Sequence, residues 1–101
     1  MKWLVFALLV SSNVFAEQSL NNIRQQELQN MFKHDCGSCH GLTMKGGLGS
    51  PLLAESVKNK TDKFLVKTIL EGRKGTAMPP WKSFITRQEA MWLVKNLIRK
   101  P

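Results

Sequence analysis

The feature that most constrains this chain is Cys36-Gly37-Ser38-Cys39-His40. It holds both cysteines of the 101 residues and one of the two histidines. Two thiols at this spacing lie side by side on one turn of helix. The imidazole follows at once, so three soft or basic donors crowd one short arc.

Three familiar uses of a Cys-x-x-Cys pair fit poorly. Half a zinc site needs a second pair of ligands, but no second cysteine pair exists and His34 is the only other histidine. A thioredoxin-like dithiol needs a βαβ setting, and strand-like alternation is absent. A plain structural disulfide gives the adjacent His40 no role. Cys-x-x-Cys-His instead matches the attachment of a c-type haem. Cys36 and Cys39 would add across the two vinyl groups as thioethers, along one edge of the ring. His40 would then face the iron as proximal ligand, a role that suits neutral imidazole. One motif predicts one haem c per chain.

The start of the chain reads as a secretory leader. Met1-Lys2 is a short basic head, and residues 3–10 are an unbroken apolar run. Ser11-Ser12-Asn13-Val14-Phe15-Ala16 presents Val14 and Ala16 to a signal peptidase. The apolar run is too short for a membrane span, which takes about 20 residues. Cleavage after Ala16 predicts a mature domain of residues 17–101 with no membrane span. The net charge of +8 falls to +7, since the leader carries Lys2 and no acid.

A mature chain this small buries only about 60–65 % of its unfolded surface, so its core is marginal. Such scaffolds need a disulfide framework, a metal or a cofactor at the centre. Three helices are predicted, making the fold all-α. The first covers residues 22–35, with Ile23, Leu28, Met31, Phe32 and Asp35 at helical spacing and Asn22 and Gln25 as a capping box. The second covers residues 62–71, capped by Thr61 and stopped by Gly72. The third covers residues 87–99, opened by the capping box Thr86-Arg87-Gln88-Glu89. Its stripe is Ala90, Leu93, Val94, Leu97 and Ile98. The long loops between them, 41–50 and 73–84, are expected to wrap something.

The iron's other face needs a ligand or stays open. Met44 follows His40 too closely to cross the ring. Met31 and His34 precede the motif on the proximal side, and His34 reads as solvent-facing. Met91 lies beside the third stripe and reads as core. Met78, in Gly75-Thr76-Ala77-Met78-Pro79-Pro80-Trp81, has no helical duty, and the prolines fix its backbone. It is the predicted distal ligand. Pro51 is either an ordinary turn proline or the residue whose carbonyl accepts the second ring N–H of His40. Trp81 either donates to a haem propionate or packs on the haem edge.

With these motifs in hand, the sequence resembles the class I cytochromes c over the whole mature chain. The resemblance implies three main helices and long loops wrapped around one covalent haem. It also implies contact between the first and last helices, with Phe32 and Trp92 as the aromatic candidates. The segments 35–43, 45–49 and 75–81 resemble the small cytochrome c55X group, encoded with haem d-containing nitrite reductases. This implies a periplasmic, non-enzymatic electron carrier, or else an accessory factor in maturation of the reductase's haem d. The Met78 loop argues against an open-site haem enzyme or gas sensor.

The remaining clue is charge. Lys45, Lys58, Lys60, Lys63, Lys67, Arg73, Lys74 and Lys82 fall between the motif and the end of the methionine loop. They are either a solvated surface or a steering field for an acidic redox partner, with nitrite reductase the first candidate. Nucleic acid is a poor partner for an exported haem domain despite a pI near 9.9. A monomer is expected.

Overall fold

In a computed structural model of the chain, residues 20–100 are described, together with Val5. The expected cleavage site after Ala16 lies outside the described residues. Helix α1 (Asn22–Met31) passes through a π-helical turn (Phe32–Cys36) into a short helix α2 (Gly37–His40). A 3-10 turn (Ala54–Val57), helix α3 (Asp62–Glu71) and helix α4 (Arg87–Leu93) follow, and α4 continues into a second π-helical turn (Val94–Ile98). No strand occurs among the described residues, so the fold is all-α.

The expected first helix stops near Asp35, yet the helical path runs on to His40. Gly37 and Ser38 are weak helix formers, which is why the sequence reads as an ending there. The wider π turn carries the chain past them, and the Ser38 hydroxyl donates to the Asp35 carbonyl at 2.8 Å. The N-cap is also one residue earlier than expected, because the Asn21 side chain accepts from the Arg24 amide at 2.8 Å. The other caps follow expectation. Thr61 accepts from Phe64 N at 3.1 Å, Gly72 closes α3, and Thr86 and Glu89 exchange both bonds of a capping box.

The core joins Leu28 of α1, Leu65, Val66 and Leu70 of α3, and Ala90, Leu93, Val94 and Ile98 of the last helix. Each fully buried aliphatic side chain contributes about 1.5–3 kcal/mol. Phe32 and Trp92 both pack against this cluster, but the ring pair in contact among the described residues is Trp81–Phe84, with centroids 5.7 Å apart. Two arginines tie distant segments. Arg24 grips Glu89 of α4, and also donates to Glu27 at 2.7 Å and to the Phe84 carbonyl at 3.0 Å. Arg99 donates to Asp62 and to the Lys60 carbonyl, each at 2.6 Å. No helix among the described residues is long and apolar enough to cross a membrane.

Candidate haem site

The helices and loops enclose a hollow of about 650 Å³ rather than closing on one another. One wall comes from Met31, Phe32, Cys36, Cys39 and His40, backed by Gly49, Ser50 and Pro51. The facing wall comes from Phe64, Thr68 and Ile69 of α3 and from Arg73, Thr76, Met78, Pro79 and Trp81. Its floor is the apolar core at Leu65, Ile85, Leu93 and Ile98.

On the first wall the motif residues share one helical turn, as their spacing requires. Neither cysteine is in a disulfide. Burial pushes the Cys36 thiol up to about 11, and the charge of Asp35 adds to the effect. The loop after His40 folds back onto the end of α2. Gly46 N donates to the His40 carbonyl at 2.8 Å and Gly49 N to the Cys39 carbonyl at 2.7 Å. These bonds satisfy carbonyls that a helix end leaves without partners. Gly49 lies flat on the imidazole, where an added Cβ would sit 2.7 Å from Nδ1 and 2.8 Å from Cε1.

His40 Nδ1 is 2.6 Å from the Ser50 carbonyl oxygen. A carbonyl can only accept, so this bond fixes the proton on Nδ1 and leaves the lone pair on Nε2. The acceptor is Ser50, one residue before the expected Pro51. Pro51 itself is exposed and lines the cavity.

On the facing wall, Gly72 takes φ +68°, and a Cβ there would meet the Met78 carbonyl oxygen at 2.6 Å. The methionine loop thus packs directly on the end of α3. Arg73 N donates to the Met78 carbonyl at 3.2 Å. The Thr76 hydroxyl donates to the Arg73 carbonyl at 2.7 Å and accepts from Met78 N at 3.3 Å. Trp81 is half-buried against the core, with its amide bonded to the Ile69 carbonyl at 3.1 Å. Met44 is buried away from the cavity and Met91 packs on the core, whereas Met31 lines the cavity from α1. His34 is exposed.

The residues fit a covalent haem. Two thiols and an imidazole with its lone pair free share one apolar hollow, of the size expected for a bound cofactor (about 300–1,000 Å³). Met78 lines the same hollow.

Comparison with known proteins agrees. A family model described as cytochrome c oxidase, cbb3-type, subunit III matches residues 24–96. Cytochrome c55X of Pseudomonas aeruginosa is 41 % identical over 98 residues, covering 95 % of this chain and 82 % of that protein. This chain belongs to the cytochrome c55X family of c-type cytochromes. Membership implies covalently bound haem c. A solved c-type cytochrome, NirC, superposes with a TM-score of 0.75 at 44 % identity, covering 78 % of this chain and 93 % of that one. A dihydro-haem d1 dehydrogenase, NirN, superposes with a TM-score of 0.65 at 30 % identity, covering 72 % of this chain and 16 % of the larger one.

Sequence reasoning missed Gly49, Ser50 and Thr76 as parts of this cytochrome's site. Ser50 acts through its backbone, which any residue supplies. The available signal was Gly49-Ser50-Pro51 itself, a flat residue and a rigid one flanking the carbonyl. Thr76 was legible only as a small polar residue before the methionine.

Proposed function

We propose that this protein is an exported, monomeric electron carrier of the periplasm, with one haem c, acting in denitrification as donor to a nitrite reductase. The leader is residues 1–16, cleaved after Ala16, and residues 17–101 are the working domain. Cys36 and Cys39 would bind the haem as thioethers, and His40 and Met78 would hold its iron. Bound haem supplies a one-electron couple, and the protein itself makes or breaks no substrate bond.

The observation that carries this reading is the bond between His40 and the Ser50 carbonyl at a cavity that Met78 also lines. The Ser50 carbonyl holds the Nδ1 proton, which orients the ring and raises the basicity of Nε2. Gly49 lets the backbone lie against the imidazole. On the far side, Thr76 and Gly72 hold the Met78 backbone against α3. Backbone contacts on both His40 and Met78 would let these residues hold the group with little rearrangement while it supplies a one-electron couple. The surrounding apolar lining limits water access, and a Met/His pair raises the potential.

The likeness to a dihydro-haem d1 dehydrogenase favours a second reading, service in maturation of haem d. Dehydrogenation releases two electrons, and a one-electron carrier would collect them in two encounters.

Two measurements test these readings. The oxidised protein should show a weak long-wavelength band from thioether-to-iron charge transfer, and Met78→Ala should abolish it. Loss of the band in Met31→Ala or Met44→Ala instead would overturn the ligand assignment. The reduced protein should pass electrons to haem d-containing nitrite reductase in stopped flow. If it does not, yet cells lacking it accumulate reductase without haem d, the maturation reading replaces the carrier reading.

A further inference from the structure

Helix α3 faces three ways. Leu65, Val66 and Leu70 are buried in the core, Phe64 and Thr68 line the cavity, and Lys63 and Lys67 point to solvent. With Lys60 just before the helix, positions 60, 63, 64 and 67 repeat at i, i+3, i+4 and i+7. They form one outer stripe of three lysines around an aromatic ring. Phe64 is 50 % exposed, and Lys60 Nζ sits 5.0 Å from its centroid.

Among the described residues the stripe lysines, Lys60, Lys63 and Lys67, form no ion pair. Of the nearby acids, Asp62 pairs with Arg99 at 2.6 Å and Glu55 with Lys58 at 2.5 Å, while Glu71, one turn after Lys67, is exposed and forms no ion pair with it. Like charges four residues apart, as at Lys63 and Lys67, destabilise a helix. A half-exposed phenylalanine among them adds a further cost in water.

We propose that the outer stripe of α3 is the docking face for an acidic protein surface, with Phe64 as its apolar centre and Lys60, Lys63 and Lys67 as its charged rim. The proposal rests on the electron-carrier reading and gives that reading a place on the molecule. Phe64 and Lys60 line the cavity, so a partner seated on them stands at its mouth. Leu48, 91 % exposed, lines the same cavity. A short-lived redox complex needs such a small interface, apolar at the centre and charged at the rim. An anionic lipid surface fits less well. Helices that lie in membranes turn a broad apolar face outward, whereas α3 turns its broad face into the core and keeps one aromatic outside.

The test uses the haem-loaded protein and two double reversals of equal charge. Lys63→Glu/Lys67→Glu alters the stripe. Arg87→Glu/Lys95→Glu alters exposed cations of the last helix that do not line the cavity. Each is assayed for electron transfer to haem d-containing nitrite reductase and for oxidation by ferricyanide, a trivalent anion that becomes ferrocyanide. At low salt the stripe reversal should slow both reactions about tenfold, against threefold or less for the control. The gap should close at 1 M salt, where screening falls to about 3 Å. Phe64→Ala, with spectrum and potential checked, should weaken the reductase complex and leave its salt slope unchanged. Equal slowing by both reversals, with the native protein still an efficient donor, overturns the docking face and leaves the carrier reading intact. Slowing of ferricyanide alone overturns it too, since a positive field without docking explains that result. Failure of the native protein to reduce the reductase overturns both readings. If the stripe reversal instead releases the protein from phosphatidylglycerol vesicles without changing electron transfer, lipid is the occupant and the proposal falls.

Discussion

The attachment wall of the cavity carries its functional atoms within five consecutive residues, on a helix end pinned by Gly46 N and Gly49 N. The methionine wall places Met78 in a loop without helix, held by Arg73 N, one threonine hydroxyl and the absence of a side chain at Gly72. The attachment wall is specified locally, so its geometry survives small shifts elsewhere. The methionine wall depends on a loop meeting the end of a different helix, so it is the part that gives way first. If His40 and Met78 hold the iron as proposed, the contact through Met78 should be lost well before the cofactor.

The largest test asks whether either wall stands without what fills the space between them. The hollow of about 650 Å³ is lined mainly by apolar side chains, and without a cofactor water would wet that lining in a chain whose core is already small. Cys36→Ala/Cys39→Ala protein prepared without haem should therefore be largely unfolded by circular dichroism. Native-like helicity in that protein would mean the core at Leu28, Val66 and Val94 suffices alone.

Gly72→Ala attacks the yielding wall alone. The new Cβ meets the Met78 carbonyl at 2.6 Å, at a backbone φ of +68°. The expected loss is about 2–4 kcal/mol in thermal unfolding. The long-wavelength thioether band should weaken while covalent haem remains. Gly49→Ala is its counterpart on the fixed wall, displacing the His40 ring. If Gly72→Ala leaves the band unchanged, the loop is firmer than its bonding indicates.

This contrast also explains what the sequence disclosed. The attachment motif, the caps at Thr61 and Thr86 and the stripe from Ala90 to Ile98 are local patterns, and periodicity finds local patterns. The continuation of the helix to His40 was hidden by Gly37 and Ser38, whose low propensity is offset by the π turn. The carbonyl of Ser50 and the hydroxyl of Thr76 act across loops, and neither a backbone atom nor a lone threonine has a spacing to read. Met31 shows the same limit from the other side. Its periodicity placed it on the helix's apolar face without showing that this face borders the cavity as well as the core.

Arg24 links the two regions, since it holds α1 to Glu89 and to the Phe84 carbonyl that follows the methionine loop. The Arg24 guanidinium and hydrogen bonds from Thr86 hold the Glu89 carboxyl below its ordinary value, against the opposing effect of burial. A carboxylate with a lowered value in the folded state stabilises the fold above its unfolded value, about 4.3, and loses that contribution as pH falls through the folded one. Stability should therefore be flat from pH 7 to 5 and drop below about 4. Arg24→Ala should cost about 1–3 kcal/mol at pH 7, because Glu89 is left nearly buried with a charge. It should also flatten the acid limb of a melting-temperature profile. A profile of unchanged shape would place the acid sensitivity in other carboxylates.

The smallest stability effect carries the sharpest spectroscopic one. Thr76 has one hydroxyl with two duties, donating to the Arg73 carbonyl and accepting from Met78 N. Thr76→Val keeps the shape and removes both bonds, at an expected cost of about 1 kcal/mol, because both backbone groups lie where water can replace the hydroxyl. The loop then loses the clasp that sets the Met78 backbone relative to α3. The thioether band should weaken or shift, and the potential should fall as the iron loses its sulfur ligand for part of the time. Thr76→Ser restores the hydroxyl without the methyl and should recover band and potential. A purely structural role predicts the same melting loss in valine and serine variants with no spectral change in either. That outcome would show the methionine wall to be held by Gly72 and the prolines alone.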